Sequence, residues 1–143
     1  MRVLIVEDEI MAQKSLIRVL GQNFPDMEIV GTTTSVKNTV AWLSDPANVA
    51  DVIFMDVELA DGVCFEIFRQ IKVNSKVIMT TAYDNYALKA FEAGSVDYLL
   101  KPVNADALQR AVARVRKSDS NIDIEALMKG AQLEREECLT KGT

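Results

Sequence analysis

The sequence predicts an α/β domain built on a five-stranded parallel sheet, and three observations predict it. Five short apolar runs recur across the first 118 residues, and each is followed by a stretch of helical spacing. The runs are continuous rather than alternating, as strands covered on both faces must be. Four of them lead directly into polar groups: Glu7-Asp8-Glu9 after the first, Asp56 after the third, Thr81 after the fourth and Lys101-Pro102 after the fifth. Strand–helix alternation implies right-handed crossovers and parallel strands. In an open sheet of that kind the carboxyl ends of the strands are where ligands bind.

Taken in order, Val3-Leu4-Ile5-Val6 is the first strand, rich in β-branched residues. Met11, Leu16, Ile17, Val19 and Leu20 mark the first helix, which ends near Gly21-Gln22-Asn23. Met27 to Gly31 reads as a more peripheral strand. Val36, Val40, Trp42 and Leu43 predict a helix opened by Ser35 as N-cap and stopped before Pro46. Asp51 to Met55 is the third and most apolar strand. Past a loop at Gly62, the residues Val63, Phe65, Ile67, Phe68 and Ile71 mark the third helix. Lys76 to Thr80 is the fourth strand, and Tyr86 to Ala93 a short helix ended by Gly94, a common residue just past a helix end. Val96 to Leu100 is the fifth strand. Asn104 is the expected N-cap of a last helix with Leu108, Ala111, Val112 and Val115 inward and Gln109, Arg110, Arg114, Arg116 and Lys117 outward.

Residues 1–118 are therefore expected to form one domain, with 119–143 a linker and a partly helical tail. Ser118-Asp119-Ser120-Asn121 has linker composition, and Ile124, Leu127, Met128 and Ala131 share one helical face beyond it, weakened by Gly130. The chain has 143 residues, 49% of them apolar, enough for one domain with a real core. Its net charge of −5 argues against a surface for nucleic-acid backbones. Cys64 and Cys138 fit neither a disulfide framework nor a zinc spacing, which predicts reduced thiols. No apolar run approaches the roughly 18 residues of a membrane helix, and the N-terminal apolar run is too short for a signal peptide. A cytoplasmic location with no membrane partner is expected.

The chemistry lies at the strand ends. Glu7, Asp8 and Asp56 would share a small pocket, and like charges that close are costly unless a cation sits among them. Oxygen-only ligands select a hard ion, with Mg²⁺ the usual choice beside phosphate chemistry. Lys101 would face the acids as a point charge, and Thr81 would offer a hydroxyl. An aspartate is an established acceptor for a covalent phosphoryl group. Taken singly, each acid is more often a solvated loop residue, Thr81 a strand-end cap and Lys101 a surface lysine. Their ordered combination is what points to a site.

The set Val6-Glu7-Asp8-Glu9, Met55-Asp56-Val57-Glu58, Thr81-Ala82 and Lys101-Pro102 resembles the receiver domain of two-component response regulators, over residues 1 to about 117. The resemblance implies a flavodoxin-like (βα)5 fold with strand order 2-1-3-4-5. It implies that Asp56 is the phosphoacceptor, charged by a partner histidine kinase; this chain itself contains no histidine. It implies Mg²⁺ held by Asp8, Asp56 and the Glu58 backbone carbonyl, with Glu7 acting through water. It also implies a cis Lys101-Pro102 peptide and a switch pair, Thr81 and Tyr98. The segment from Ala82 to Glu92 is similar to receivers joined to LytTR-type DNA-binding domains. In those, the face of the fourth helix, fifth strand and fifth helix commonly forms a homodimer on phosphorylation. DNA would then be bound only through an output domain whose β-rich, basic sequence is not seen here, so a chain cut at the interdomain linker is expected, with a single-domain regulator the alternative. Two departures stand out: Glu7 replaces the commoner aspartate, and the loop Leu59-Ala60-Asp61-Gly62 lacks the usual proline, which predicts a less rigid loop.

The resemblance implies a signalling switch rather than an enzyme, catalysing only its own phosphorylation and slow dephosphorylation. Three other readings compete with it. A haloacid-type phosphohydrolase would want an aspartate two residues past the nucleophile, where this chain has Glu58. A flavin protein would want a hydroxyl-rich loop after the first strand, where acids would repel phosphate. A receiver-like module without phosphorylation would not need Asp8, Asp56, Thr81 and Lys101 together.

Overall fold

A computed structural model describes residues 1–83, 85, 87–92 and 94–117. Five strands form one parallel sheet: β1 (Arg2–Val6), β2 (Glu28–Thr33), β3 (Val52–Asp56), β6 (Lys76–Thr81) and β7 (Asp97–Leu100), in the order β2-β1-β3-β6-β7. Among the sheet strands this is the expected order 2-1-3-4-5. Two further strands, β4 (Glu58–Leu59) and β5 (Gly62–Val63), pair antiparallel as a small hairpin after β3. The helices are α1 (Ile10–Asn23), α2 (Val36–Ser44), α3 (Phe65–Gln70), α4 (Ala87–Glu92) and α5 (Ala105–Lys117).

Period-two alternation in a strand sends neighbouring side chains to opposite faces, and here both faces are covered. Leu4, Val6, Ile53, Met55, Val77 and Met79 pack with Val36, Ile67, Phe68 and Ala90, the face of α2, α3 and α4. Val3, Ile5, Val52, Phe54 and Ile78 pack with Leu20, Leu108, Ala111, Val112 and Val115, the face of α1 and α5. Every residue of β3 is buried, as its unbroken apolar run requires. Each large aliphatic side chain taken out of water in this way contributes about 1.5–3 kcal/mol.

The helix ends follow local chemistry. Ser35 Oγ accepts from Asn38 N at 3.0 Å and Asn104 Oδ1 from Ala107 N at 2.8 Å, so both expected N-caps form. Gly94 sits at φ +83°, the left-handed conformation its place after α4 demands.

Several boundaries differ from the sequence reading. β2 runs on to Thr33, because β1 offers it partners as far as Val6. Asp56 and Thr81 are the last residues of β3 and β6 rather than the first beyond them. Val63 belongs to the hairpin, so α3 starts only at Phe65. Met11 and Ile17 face solvent, at 77% and 36% exposure; the inner stripe of α1 centres on Leu20 with Leu16 and Val19 beside it. The expected start of α4 at Tyr86, its end at Ala93 and everything read into residues 118–143, including the domain boundary, lie outside the described residues.

Candidate functional site

The strand ends bring the acids together. Glu7 follows β1 directly, Asp8 comes next, and Asp56 ends the adjacent β3. One carboxylate oxygen from each lies within 4.8 Å of the others. Glu7 and Asp56 are buried, at 4% and 6% exposure. Lys101, the first residue past β7, reaches across: its Nζ donates to Asp56 Oδ2 at 2.9 Å and also to Glu7 Oε1. Lys101 is itself held in place by its backbone N–H, which donates to the Thr81 carbonyl at 2.7 Å. The Lys101-Pro102 peptide is cis.

Other bonds fix the acid loop. Glu7 N donates to the Thr33 carbonyl at 2.9 Å, and Gln13 Nε2 to the Glu7 carbonyl at 2.6 Å. Glu58, two residues past Asp56 at the base of the hairpin, donates its N–H to Asp56 Oδ1 at 3.3 Å. On the α1 side a cavity of about 260 Å³ lies against Glu7 and Lys101, its walls formed by Leu16, Val19, Phe54 and Val103. Glu7 and Asp56 are thus withdrawn from solvent, while Asp8 stays in contact with it.

The electrostatics follow from that. Burial, then Asp56 beside it, raises the Glu7 pKa to about 8, an effect the Lys101 ammonium only partly offsets. Lys101 loses some basicity to burial but gains more from Glu7 and Asp56, and its net shift is upward. Glu7 Oε2 is buried with no hydrogen-bond partner. An orphaned carboxylate oxygen beside two other acids is a poor end state for a closed protein interior. It is the donor set that a hard divalent cation completes, and the residues fit one. Cys64 is a free, buried thiol whose pKa is raised by burial and by Asp56, so it is not a candidate nucleophile.

Thr81 is buried, and its Oγ1 accepts from Tyr83 N at 3.2 Å. Tyr98 is half-buried on β7, its ring against the core; its hydroxyl donates to the Tyr83 carbonyl. The backbone of Tyr83 thus joins the two residues expected to act as a pair. Of the expected site residues, Glu7, Asp8, Asp56, Glu58, Thr81 and Lys101 lie at the carboxyl ends of the strands, whereas Tyr98 stands within β7 opposite Met79 and is tied to that end through Tyr83. The sequence reading missed Gln13, which carries no motif signal, and the hairpin, whose Asp61-Gly62 pair is a turn signal in its own right.

Fold and acid pocket together define an α/β domain with an acidic site at the carboxyl ends of its parallel strands. The family model described as the response regulator receiver domain matches residues 3–113, and the chain belongs to that family of signalling proteins. Among curated relatives it is similar to the sensory transduction protein LytT of Bacillus anthracis, 32% identical over 140 residues, covering 95% of this chain and 56% of that one. It is also 33% identical over 133 residues to the transcriptional regulatory protein BtsR of Escherichia coli strain K12, covering 92% and 54%. The chain therefore spans about half the length of the curated relatives it matches. Among solved structures, the response regulatory domain of protein mrkE from Klebsiella pneumoniae superposes with a TM-score of 0.67 at 30% identity, covering 82% of this chain and 100% of that domain. Among the described residues, no helix is long and apolar enough to cross a membrane.

Proposed function

We propose that residues 1–118 accept a phosphoryl group on Asp56 from a partner histidine kinase, and that the resulting change at Thr81 and Tyr98 controls an output. The observation that carries this reading is the orphaned Glu7 oxygen among three acids, with Lys101 opposite. Asp8, Asp56 and the Glu58 carbonyl would hold Mg²⁺, with Glu7 acting through water. When bound, the cation would neutralise the acids and the charge on the transferring oxygens.

An Asp56 carboxylate oxygen attacks phosphorus as the phosphorus–nitrogen bond to the donor histidine breaks, and the electron pair of that bond leaves with the imidazole. Lys101 exchanges part of its hold on Asp56 for a phosphoryl oxygen. Thr81 supplies a hydroxyl to another oxygen, which draws on its link to Tyr83 and hence on Tyr98. Water hydrolyses the acyl phosphate slowly, so the chain is a switch rather than a turnover enzyme. In the longer parent regulator the signal would pass, by a homodimer on the face of α4, β7 and α5, to a LytTR-type domain that binds DNA in the cytoplasm. The relatives' names, a sensory transduction protein and a transcriptional regulatory protein, support an output in transcriptional signalling.

Incubation with acetyl phosphate and Mg²⁺, followed by intact mass, tests the reading. The wild-type chain should gain one phosphoryl group, which Asp56→Asn and chelation both abolish. An Asp56→Asn chain that still gains it would remove Asp56 from the acceptor role.

A further inference from the structure

The hairpin that follows Asp56 is fastened at both ends. At its base, Val57 N donates to the Thr80 carbonyl at 2.9 Å and Cys64 N to the Val57 carbonyl at 2.7 Å. Glu58 pairs with Val63 and Leu59 with Gly62, leaving Ala60 and Asp61 as the tip. Gly62 has φ +147°, a conformation that side chains rarely adopt, so the turn depends on a glycine there.

The tip does not float. Asp61 reaches α2, where its Oδ1 accepts from Val36 N at 2.6 Å and its Oδ2 from Lys37 N at 3.0 Å. These N–H groups, of Lys37 first and Val36 second, hold the Asp61 carboxyl below its ordinary value. The helix already has its own cap, because Ser35 Oγ takes the next donor, Asn38 N. Asp61 therefore adds a bridge between two segments 24 and 25 positions apart in sequence. It is exposed and adds nothing to the apolar core.

We propose that Asp61 is a positioning residue for the phosphoacceptor site: by pinning the hairpin tip to α2, it fixes the direction in which the Glu58 backbone presents itself beside Asp56. The inference rests on the proposed cation site, in which the Glu58 carbonyl is a ligand. Without the pin, β4 and β5 are still held at the base by Val57, Cys64 and the buried Leu59, but the exposed tip loses its tie to α2, and a two-residue ladder constrains it only weakly. The Glu58 carbonyl would then sample several directions, and the cation would lose one preorganised oxygen. The missing proline in this loop is thereby compensated: stiffness comes from a carboxylate bridge rather than from a fixed φ.

Cation affinity, read without any phosphoryl donor, tests this. Mn²⁺ is titrated into the chain, its free-ion EPR signal reports the bound fraction, and Mg²⁺ competes it off. Asp61→Ala should weaken both ions about tenfold, the lower end of what outer ligand-supporting groups contribute. Asp61→Asn, which keeps one acceptor oxygen, should fall between it and wild type, and it covers the case in which Asp61→Ala folds poorly. Ser35→Ala removes a cap from the same helix without touching the hairpin; it should unfold at lower urea yet bind as wild type does. Equal affinity in Asp61→Ala and wild type overturns the proposal alone, as does equal weakening by Ser35→Ala. A wild-type chain that binds neither ion overturns both this proposal and the function reading on which it rests.

Discussion

Glu7 shows most clearly what the site asks of single residues. It departs from the family's commoner aspartate, and its longer side chain lets one oxygen meet Lys101 while the other is left buried without a donor. Its pKa is about 8 in the folded, metal-free chain, against an ordinary value of 4.5. Between those values the folded chain holds a proton that the unfolded chain has released. Folding stability should therefore fall as pH rises from about 4.5 to about 8, and change little above that on this account. Urea unfolding in chelator at pH 6 and pH 8.5 checks it: the midpoint should be lower at pH 8.5, and no histidine competes in that range. Saturating Mg²⁺ should reduce the difference, because the cation replaces the proton; a midpoint that rises with pH in chelator would contradict the assignment. The acids and Lys101 were legible because residue type and distance from an apolar run suffice to place them. Gln13 was not, since a glutamine donating to a backbone carbonyl has no sequence signature.

At the scale of elements, the sheet strands were readable and the faces of α1 were not. Five continuous apolar runs leave little choice, and β3, buried throughout, is the clearest. Phe54→Ala in that strand should cost about 3–5 kcal/mol by urea unfolding, from lost burial and the cavity left behind. On α1 the apolar residues outnumber the inward positions, so their spacing marks the helix without choosing its inner face, and Met11 proves 77% exposed. Met11→Ala should accordingly shift stability by no more than about 0.5 kcal/mol. A cost for Met11→Ala near that of Phe54→Ala would reverse the orientation given to the helix. The hairpin escaped the reading for a different reason. Strands of two residues have no periodicity to detect, and the bridge that stiffens them joins residues far apart in sequence.

At the scale of the whole molecule, topology explains why the site lies where it does. From β1 the chain turns outward to the edge strand β2 through α1 on one face, while from β3 it runs the other way to β6 through α3 on the opposite face. The connections leaving β1 and β3 part there, and the crevice between them is the switch point where open α/β sheets take ligands. Asp8 and Asp56 stand on either side of it, with Lys101 closing the pocket from β7. The strand order follows from the family as much as from the runs themselves, because apolar runs give strands but not their neighbours. The converging acids are read as one cation site, and amide NMR spectra recorded during substoichiometric Mn²⁺ addition locate where the ion binds. Paramagnetic loss should begin at residues 7–8 and 56–58 and spread outward from there. Loss that starts instead around Asp45 and Asp51, among the loops lining a separate pocket, while 7–8 and 56–58 keep their signals, would contradict it.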